Sequence, residues 1–187
     1  MKITSNKIND NDIELLKTLI GKKLIKIIHE PFTFSPTSYG IVYLNINSKN
    51  YIFTDYQESI DYFLGKEDIS KIKFKKYDDS INSSIIGIDF VKENINQKIT
   101  KITIVNSEQK ALYKLTNEEY TFLDTQAIIF TLEDDYNLCL IKDDFCESIT
   151  IYKGYDISSE IKKIETNLDN CYNSNLIGTS KISLIEL

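Results

Sequence analysis

Alternation between apolar and polar residues dominates the chain and predicts a protein built mainly from β-strands. Two alternating runs in residues 40–56 flank the polar segment 47–50, which predicts a β-hairpin with its turn in that segment. Side chains that alternate along paired strands lie on a common face, so one face of this hairpin should be apolar. The residues predicted to point from that face into the core are Val42, Leu44, Ile46, Tyr51 and Phe53.

The second half of the chain follows the same order of segments. Residues 98–104 are similar to residues 23–28, residues 127–144 to the hairpin segment, and residues 148–156 to residues 71–78. Because the three similarities occur in the same order, we predict two related repeats of strand, loop, hairpin and strand. In the second hairpin the apolar positions are shifted by one residue, which would exchange the two faces of a strand. We therefore expect a bulge or a different turn there.

Helical spacing of apolar residues is confined to three segments. Residues 10–20 predict an N-terminal helix with Asn11 or Asp12 as its cap. Residues 56–65 predict a short helix that ends at a glycine. Residues 157–168 predict a C-terminal helix, which we expect to be followed by a final strand.

The predicted fold class is α+β, mainly antiparallel β with two related strand-hairpin-strand repeats, an N-terminal helix and a C-terminal helix. Residues 1–90 would form the first repeat with the N-terminal helix, and residues 95–187 the second, acidic repeat. With 187 residues the chain can bury a core of its own, and we expect the two repeats to pack as one compact unit.

Charge distinguishes the two halves. Residues 1–94 contain 13 lysines and 13 acidic residues, whereas residues 95–187 contain 9 lysines and 15 acidic residues, so the second half carries the whole formal net charge of -6. Such a field repels nucleic acid and anionic lipid and attracts a basic protein partner or a cation. The acidic residues predicted to bind that partner are Glu118, Glu119, Asp124, Glu133, Asp134, Asp135, Asp143 and Asp144.

Residue types and spacing limit the chemistry of the chain. All 22 basic residues are lysine, so recognition of phosphate or guanine by guanidinium is absent. A predicted four-residue strand separates the carboxylates at 134–135 from those at 143–144 by roughly 13 Å, which is too far for one metal ion. No phosphate-binding glycine loop, nucleophile motif or zinc-protease motif occurs. We therefore predict no catalytic residue, no metal site and no cofactor.

Histidine and cysteine are scarce. The single histidine, His29, lies at the end of a predicted strand, where we expect a structural hydrogen bond rather than catalysis. The three cysteines, Cys139, Cys146 and Cys171, have no CxxC spacing and are expected to be free thiols packed as small apolar side chains. The first residues lack a signal-peptide pattern and no apolar run reaches spanning length, so we expect a cytoplasmic protein outside the membrane.

In overall character the chain resembles the small acidic immunity proteins that neutralise bacterial polymorphic toxins, many of which are β-rich and lack catalytic motifs. The segments LIGKKLIKI, YGIVYL and DYFLGKEDISKIKF also resemble an uncharacterised bacterial two-repeat family, over most of the chain through residue 156. We expect a non-catalytic protein-binding protein which, as an immunity protein, would neutralise a basic toxin through its acidic second half. The alternative is a small-molecule or carbohydrate-binding domain, or an enzyme of unusual type, with its site between the repeats.

Overall fold

The computed structural model describes residues 1–32, 36–63, 65–78, 89–169 and 175–187, and within them the chain forms 11 strands and two helices. The first half contains β1 (Lys2–Asn6), α1 (Asp10–Lys17), β2 (Lys23–His29), β3 (Thr37–Tyr39), β4 (Ile41–Ile46), β5 (Lys49–Tyr62) and β6 (Gly65–Tyr77). The second half contains β7 (Val91–Tyr113), β8 (Glu118–Leu132), β9 (Asn137–Lys142), β10 (Ser148–Gly154), α2 (Ser158–Asp169) and β11 (Leu176–Glu186).

Two antiparallel meanders form most of the sheet, which confirms the α+β class and the dominance of antiparallel strands. The first layer contains β2, β4, β5 and β6, and the second layer contains β7, β8, β9 and β10, each paired in that order. The long strand β7 joins the layers, because residues 91–98 pair with β2 and residues 99–113 pair with β8. The predicted sequence repeat itself stays a prediction, since a shared strand order does not demonstrate it.

Three further strands extend the second layer. β1 runs parallel to the first part of β8, and β11 runs antiparallel to the later part of β7. The short strand β3 pairs with β10, in a region that we expected to be loop. Because β1 and β3 come from the first half of the chain, the second layer contains strands from both halves.

The two layers pack against each other around one apolar core. The predicted inward face of the first hairpin is confirmed. The register places Leu44 opposite Tyr51 and Val42 opposite Phe53, and all four side chains are buried. The largest fully buried side chains of the core are Phe53, Phe74 and Phe130.

Helix α1 packs on this core and is tied to β6. Its cap is Asn9, whose side chain accepts a hydrogen bond from the backbone N–H of Asp12 at 2.8 Å, so the predicted caps Asn11 and Asp12 are wrong. The Asp12 carboxylate is used elsewhere, because its Oδ2 accepts from the backbone N–H of Phe74 at 2.9 Å. Leu16 on the inner side of the helix is fully buried.

Helix α2 covers the outer face of β8 and β9, which explains the shifted apolar positions in the second hairpin. Ala127 and Ile129 belong to an apolar cluster with Ile164 of α2, whereas Ile128 and Phe130 face the main core. Both faces of the hairpin are therefore buried, so apolar residues occupy consecutive positions. The predicted C-terminal helix and final strand are confirmed as α2 and β11.

The turns of the two hairpins differ in length, as the shifted pattern predicts. The first turn contains only Asn47 and Ser48, with φ of 47° and 62°, and is shorter than we expected. Positive φ at both positions is typical of a type I′ turn. In the second hairpin Thr131 pairs with Asn137, and residues 133–136 form a longer turn.

The short helix predicted at residues 56–65 is wrong. This segment continues β5 and forms a long hairpin with β6, in which Tyr56 pairs with Lys71 and Tyr62 with Gly65. A helix of that length is marginal by itself, because few hydrogen bonds offset the cost of ordering its first turn. The ladder of cross-strand pairs with β6 therefore outweighs the local helical spacing.

Candidate functional site

The acidic residues predicted to bind a partner do not form one surface. Glu118 and Glu119 are exposed at the start of β8, and residues 133–135 are exposed in the turn after its end. The rest of β8 separates these two groups by roughly 45 Å, since Glu119 and Glu133 are 14 positions apart at about 3.3 Å per residue. Asp143 and Asp144 follow β9, whose pairing places them beside the middle of β8.

Asp124 lies inside the protein, where it pairs with a lysine. This aspartate is fully buried, and its Oδ2 lies 2.8 Å from Nζ of Lys142, whose side chain is also fully buried. Oδ1 of Asp144 lies 2.6 Å from the same ammonium. These three residues are called the ion-pair cluster below. They bring two of the predicted acidic residues together, but Asp124 is fully buried and cannot contact a partner, so its predicted binding role is wrong.

Burial and charge together determine the protonation of the ion-pair cluster. Burial raises the pKa of Asp124 to about 7; Lys142 opposes this effect and the negative charge of Asp144 adds to it. Burial acts to lower the pKa of Lys142, but the two carboxylates outweigh burial and raise that pKa. Lys142 is therefore charged, and Asp124 titrates near neutral pH.

Neighbouring amides hold Asp124 in place. Its Oδ1 accepts from Asn6 Nδ2 at 3.1 Å and from the backbone N–H of Thr125 at 2.8 Å. Its Oδ2 accepts from Gln126 Nε2 at 2.8 Å. Gln126 is an additional residue in β8, because the register with β7 passes from Ala127 directly to Thr125. Such a bulge re-aims side chains and is frequent next to functional sites.

A second buried carboxylate, Asp55 of β5, faces the same interior. Burial raises its pKa to about 7, although the neighbouring Ser70 hydroxyl acts to lower that pKa. The single proton of that hydroxyl goes to the carbonyl oxygen of Cys146 at 3.1 Å, and Ser70 Oγ accepts from Gln57 Nε2 at 2.9 Å. Neither carboxylate oxygen of Asp55 has a hydrogen-bond partner in the described part of the chain. The ionised form of Asp55 is therefore poorly stabilised.

The acidic loop, defined as residues 143–147, is fastened to the first layer. The backbone N–H of Ser70 donates to the carbonyl oxygen of Asp144 at 2.9 Å, beside the hydroxyl bond to Cys146. Asp143 Oδ1 accepts from the backbone N–H groups of Phe145 and Cys146 at 2.9 and 3.1 Å, which closes the loop on itself. Phe145 is left 53% exposed among the carboxylates of this loop.

A cleft of about 570 Å³ lies beside the ion-pair cluster, between β9, β10, the acidic loop and α2. This volume is within the range of small-ligand sites. Gln126 and Lys142 line it from the strands, and Glu160 and Lys163 line it from α2. Its apolar and aromatic lining comprises Pro36, Ile141, Phe145, Tyr152 and Ile164. Apart from Pro36 these residues belong to the second half, so this cleft does not lie between the two predicted repeats.

His29 and Cys139 are buried, whereas Cys146 is exposed. His29 is fully buried, its Nδ1 donates to the carbonyl oxygen of the next residue at 2.6 Å, and its ring stacks on Phe32, as expected for a structural histidine. Cys139 is a free buried thiol, and burial raises its pKa to about 12. Cys146 is free but exposed, so the expected packing is wrong for it. Cys171 lies outside the described residues.

The described residues contain no group of three or more His, Cys, Asp or Glu side chains arranged to hold a metal ion. Over the same ranges, neither helix is long and apolar enough to cross a membrane. Comparison of the chain with protein-family models, with curated proteins and with solved structures found no match. What can be inferred about function therefore rests on the site itself.

Sequence reasoning missed most of this site. The signal that was available is a polar residue at an inward-facing strand position, as with Asp55 two residues after the core residue Phe53. Such a residue is buried by its strand, so it needs a partner from another element. The buried polar residues around Asp124 and the acidic loop that were not predicted are Asn6, Asp55, Ser70, Gln126 and Lys142.

Proposed function

We propose that the protein is a non-catalytic binding protein that docks a basic protein partner on the acidic loop. The observation that carries the proposal is Phe145, a large aromatic side chain that is 53% exposed between carboxylates. Aromatic anchors are enriched at the centre of protein-binding surfaces, where truncation of a few of them removes most of the affinity. Phe145 is therefore the expected anchor of the interface.

The loop that carries Phe145 is ordered before any partner arrives. Its backbone bonds to Ser70 of the first layer, and the Asp143 carboxylate caps two of its own backbone N–H groups. Ordering a loop on binding reduces affinity, because the lost conformational freedom offsets part of the contact energy. A preformed loop avoids that cost.

The charge of the loop selects a basic partner. Lys142 is already neutralised by Asp124 and Asp144, and within the described residues neither Asp143 nor Glu147 forms an ion pair. These carboxylates are available to a cationic surface. Complementary charge speeds association and makes it sensitive to salt.

A basic toxin is the partner that the resemblance to immunity proteins suggests. Acidity, the antiparallel β architecture and the lack of a catalytic motif support that assignment. The protein would then neutralise the toxin by occupying its basic surface, with the acidic loop as the contact.

The test uses the full chain as bait in its native lysate, with Phe145→Ala and the matched control Leu115→Ala, whose side chain is also exposed but lies after β7. We expect the wild type and Leu115→Ala to retain a basic protein at low salt. Phe145→Ala should weaken the purified complex at least about tenfold, which corresponds to about 1.4 kcal/mol. Binding that ignores salt, or that Phe145→Ala leaves unchanged, would contradict the proposal.

A growth assay tests the immunity assignment separately. The gene next to that of this protein is expressed in a sensitive host, with the wild type, Phe145→Ala or Leu115→Ala. We expect the neighbouring product to be toxic, and growth to be restored by the wild type and Leu115→Ala but not by Phe145→Ala. A harmless neighbour would refute the immunity assignment and leave the docking experiment to decide the broader proposal.

A further inference from the structure

The cleft presents unpaired hydrogen-bond acceptors on both of its sides. Gln126 and Glu160 are only 4% and 8% exposed, and both line it. Gln126 uses Nε2 for Asp124 and Ser107, and no described residue donates to its Oε1. Glu160 Oε1 accepts from Lys163 at 2.6 Å, whereas no described residue donates to its Oε2. Both residues line the cleft, and neither free oxygen is among the fully buried unpaired atoms.

The charges around the cleft favour a cation. Lys142 is fully buried against Asp124 and Asp144, so its ammonium is not available to bind an anion. Lys163 is paired with Glu160, and its side chain is 68% exposed, so it can turn toward water when a ligand arrives. The carboxylates of Asp143, Asp144 and Glu160 thus line the cleft against two lysines, of which Lys142 is buried and Lys163 is exposed.

The fold places these two acceptors beside apolar side chains. The bulge in β8 introduces Gln126 as an additional residue, and α2 brings Glu160 from the other side. Ile141, Tyr152 and Ile164 line the same space. A ligand that fits this arrangement has a donor-rich positive head and an apolar stem.

We infer that the cleft binds an alkylammonium group, with the ammonium at Gln126 Oε1 and Glu160 Oε2 and the alkyl chain along Ile141 and Ile164. An ammonium carries three donors and no acceptor, which matches an acceptor-lined site. A free amine and a lysine side chain share this chemistry. A lysine source rests on the proposed docking function, whereas a free amine does not.

Titration of the full chain with 1,5-diaminopentane, followed by calorimetry, tests the site. The variant is Glu160→Gln, and the matched control is Glu165→Gln, an exposed carboxylate on the same helix. We expect saturable binding to the wild type and to Glu165→Gln, binding at least tenfold weaker to Glu160→Gln, and no binding of 1,5-pentanediol. Equal weakening by the two variants, equal binding of the diol, or no saturable binding would overturn the inference.

A second measurement needs no variant. In the unmodified protein, the methyl resonances of Ile141 and Ile164 should shift as the diamine saturates, and those of Ile13 on α1 should not. Uniform shifts, or none, would also overturn the inference.

Two peptides then distinguish the sources of the ammonium. They are neutral apart from one position, which is lysine in the first and norleucine in the second. Binding of the lysine peptide that is lost in Glu160→Gln identifies a side chain of a partner as the ligand, whereas binding of the diamine alone identifies a free amine. Phe145 also lines the cleft, so the diamine and Glu160→Gln separate the two proposals. No saturable diamine binding while the basic protein still docks overturns only the inference about the cleft, whereas diamine binding without a docked partner overturns only the docking proposal.

Discussion

The interior between the two layers contains an apolar region and a polar region that are built on the same strands. Along β5, β6 and β9, a core residue and a polar residue lie two positions apart on the same face. The apolar members are Phe53, Ile72 and Leu140, and the polar members are Asp55, Ser70 and Lys142. One set of strands therefore supports two regions with opposite chemistry.

This difference shows that the apolar region stabilises the fold, whereas the polar region adds little stability or reduces it. Each large apolar side chain in the core contributes roughly 1.5–3 kcal/mol by leaving water. A buried ion pair loses hydration that its own attraction often fails to recover, and apolar residues of similar size are frequently as stable or more so. Retention of Asp55, Asp124 and Lys142 inside the protein therefore favours a role in the adjoining loop and cleft.

The largest expected effect comes from removal of the buried ammonium. We predict that Lys142→Met lowers the free energy of unfolding by about 3–5 kcal/mol, because Asp124 and Asp144 lose their shared partner in a dry site. Urea unfolding near neutral pH measures the loss.

Two variants show whether this loss belongs to the polar region alone. Asp124→Asn added to Lys142→Met should recover most of the stability, since it removes the carboxylate that must take up a proton to stay buried once Lys142 is gone. Phe130→Ala in the apolar core should cost a similar amount, about 3–5 kcal/mol, and should not be recovered by Asp124→Asn. If Lys142→Met leaves stability unchanged, the distinction between the two regions fails.

A smaller effect of opposite sign is expected at Asp55. Its pKa is about 7 in the folded protein against the ordinary 3.8, so the folded state holds a proton that the unfolded state releases between these values. Stability should therefore fall as pH rises from about 4 to about 7, and Asp124 should add to this fall. We predict that Asp55→Asn raises the free energy of unfolding by about 1–3 kcal/mol near pH 8.

Unfolding of the wild type and of Asp55→Asn at several pH values checks this sign. The gain should shrink toward pH 4, where the carboxyl is protonated in both states. Asp61→Asn, an exposed aspartate of the same strand, should alter neither the stability nor its pH dependence. A loss of stability in Asp55→Asn at alkaline pH would mean that ionised Asp55 is stabilised by its surroundings.

The smallest expected effect is at Ser70, which joins the two regions to the acidic loop. Ser70→Ala removes the hydroxyl bonds to Cys146 and Gln57 but keeps the backbone bond to Asp144, so we predict a loss of about 1 kcal/mol. Hydrogen exchange at the Phe145 and Cys146 amides should be faster in this variant.

Ser59→Ala, at an exposed position of β5, is the control, and it should leave exchange in the acidic loop unchanged. Equal exchange in wild type and Ser70→Ala would show that the loop is held by its own bonds at Asp143.

Local alternation predicted the strands of the first hairpin and its buried face well, because a period of two is imposed by strand geometry. It failed at residues 56–65, where helical spacing was overridden by pairing with β6. It also failed at Asp124, which looked like one more surface carboxylate in an acidic segment. Its burial depends on which strand lies beside it, and no local pattern encodes that.

The sequence by itself determined the β-rich class, the apolar face of the first hairpin, the N-terminal helix, the C-terminal helix with its final strand, and the acidic second half. Only the tertiary structure decided that Lys142 would neutralise Asp124, and that Asn6 would reach Asp124 across 118 residues of chain. The physical reason is the separation along the chain of the residues that determine each property. Alternation and charge density are properties of neighbouring residues, whereas the partners of a buried charge depend on strand register and on layers that meet only after folding.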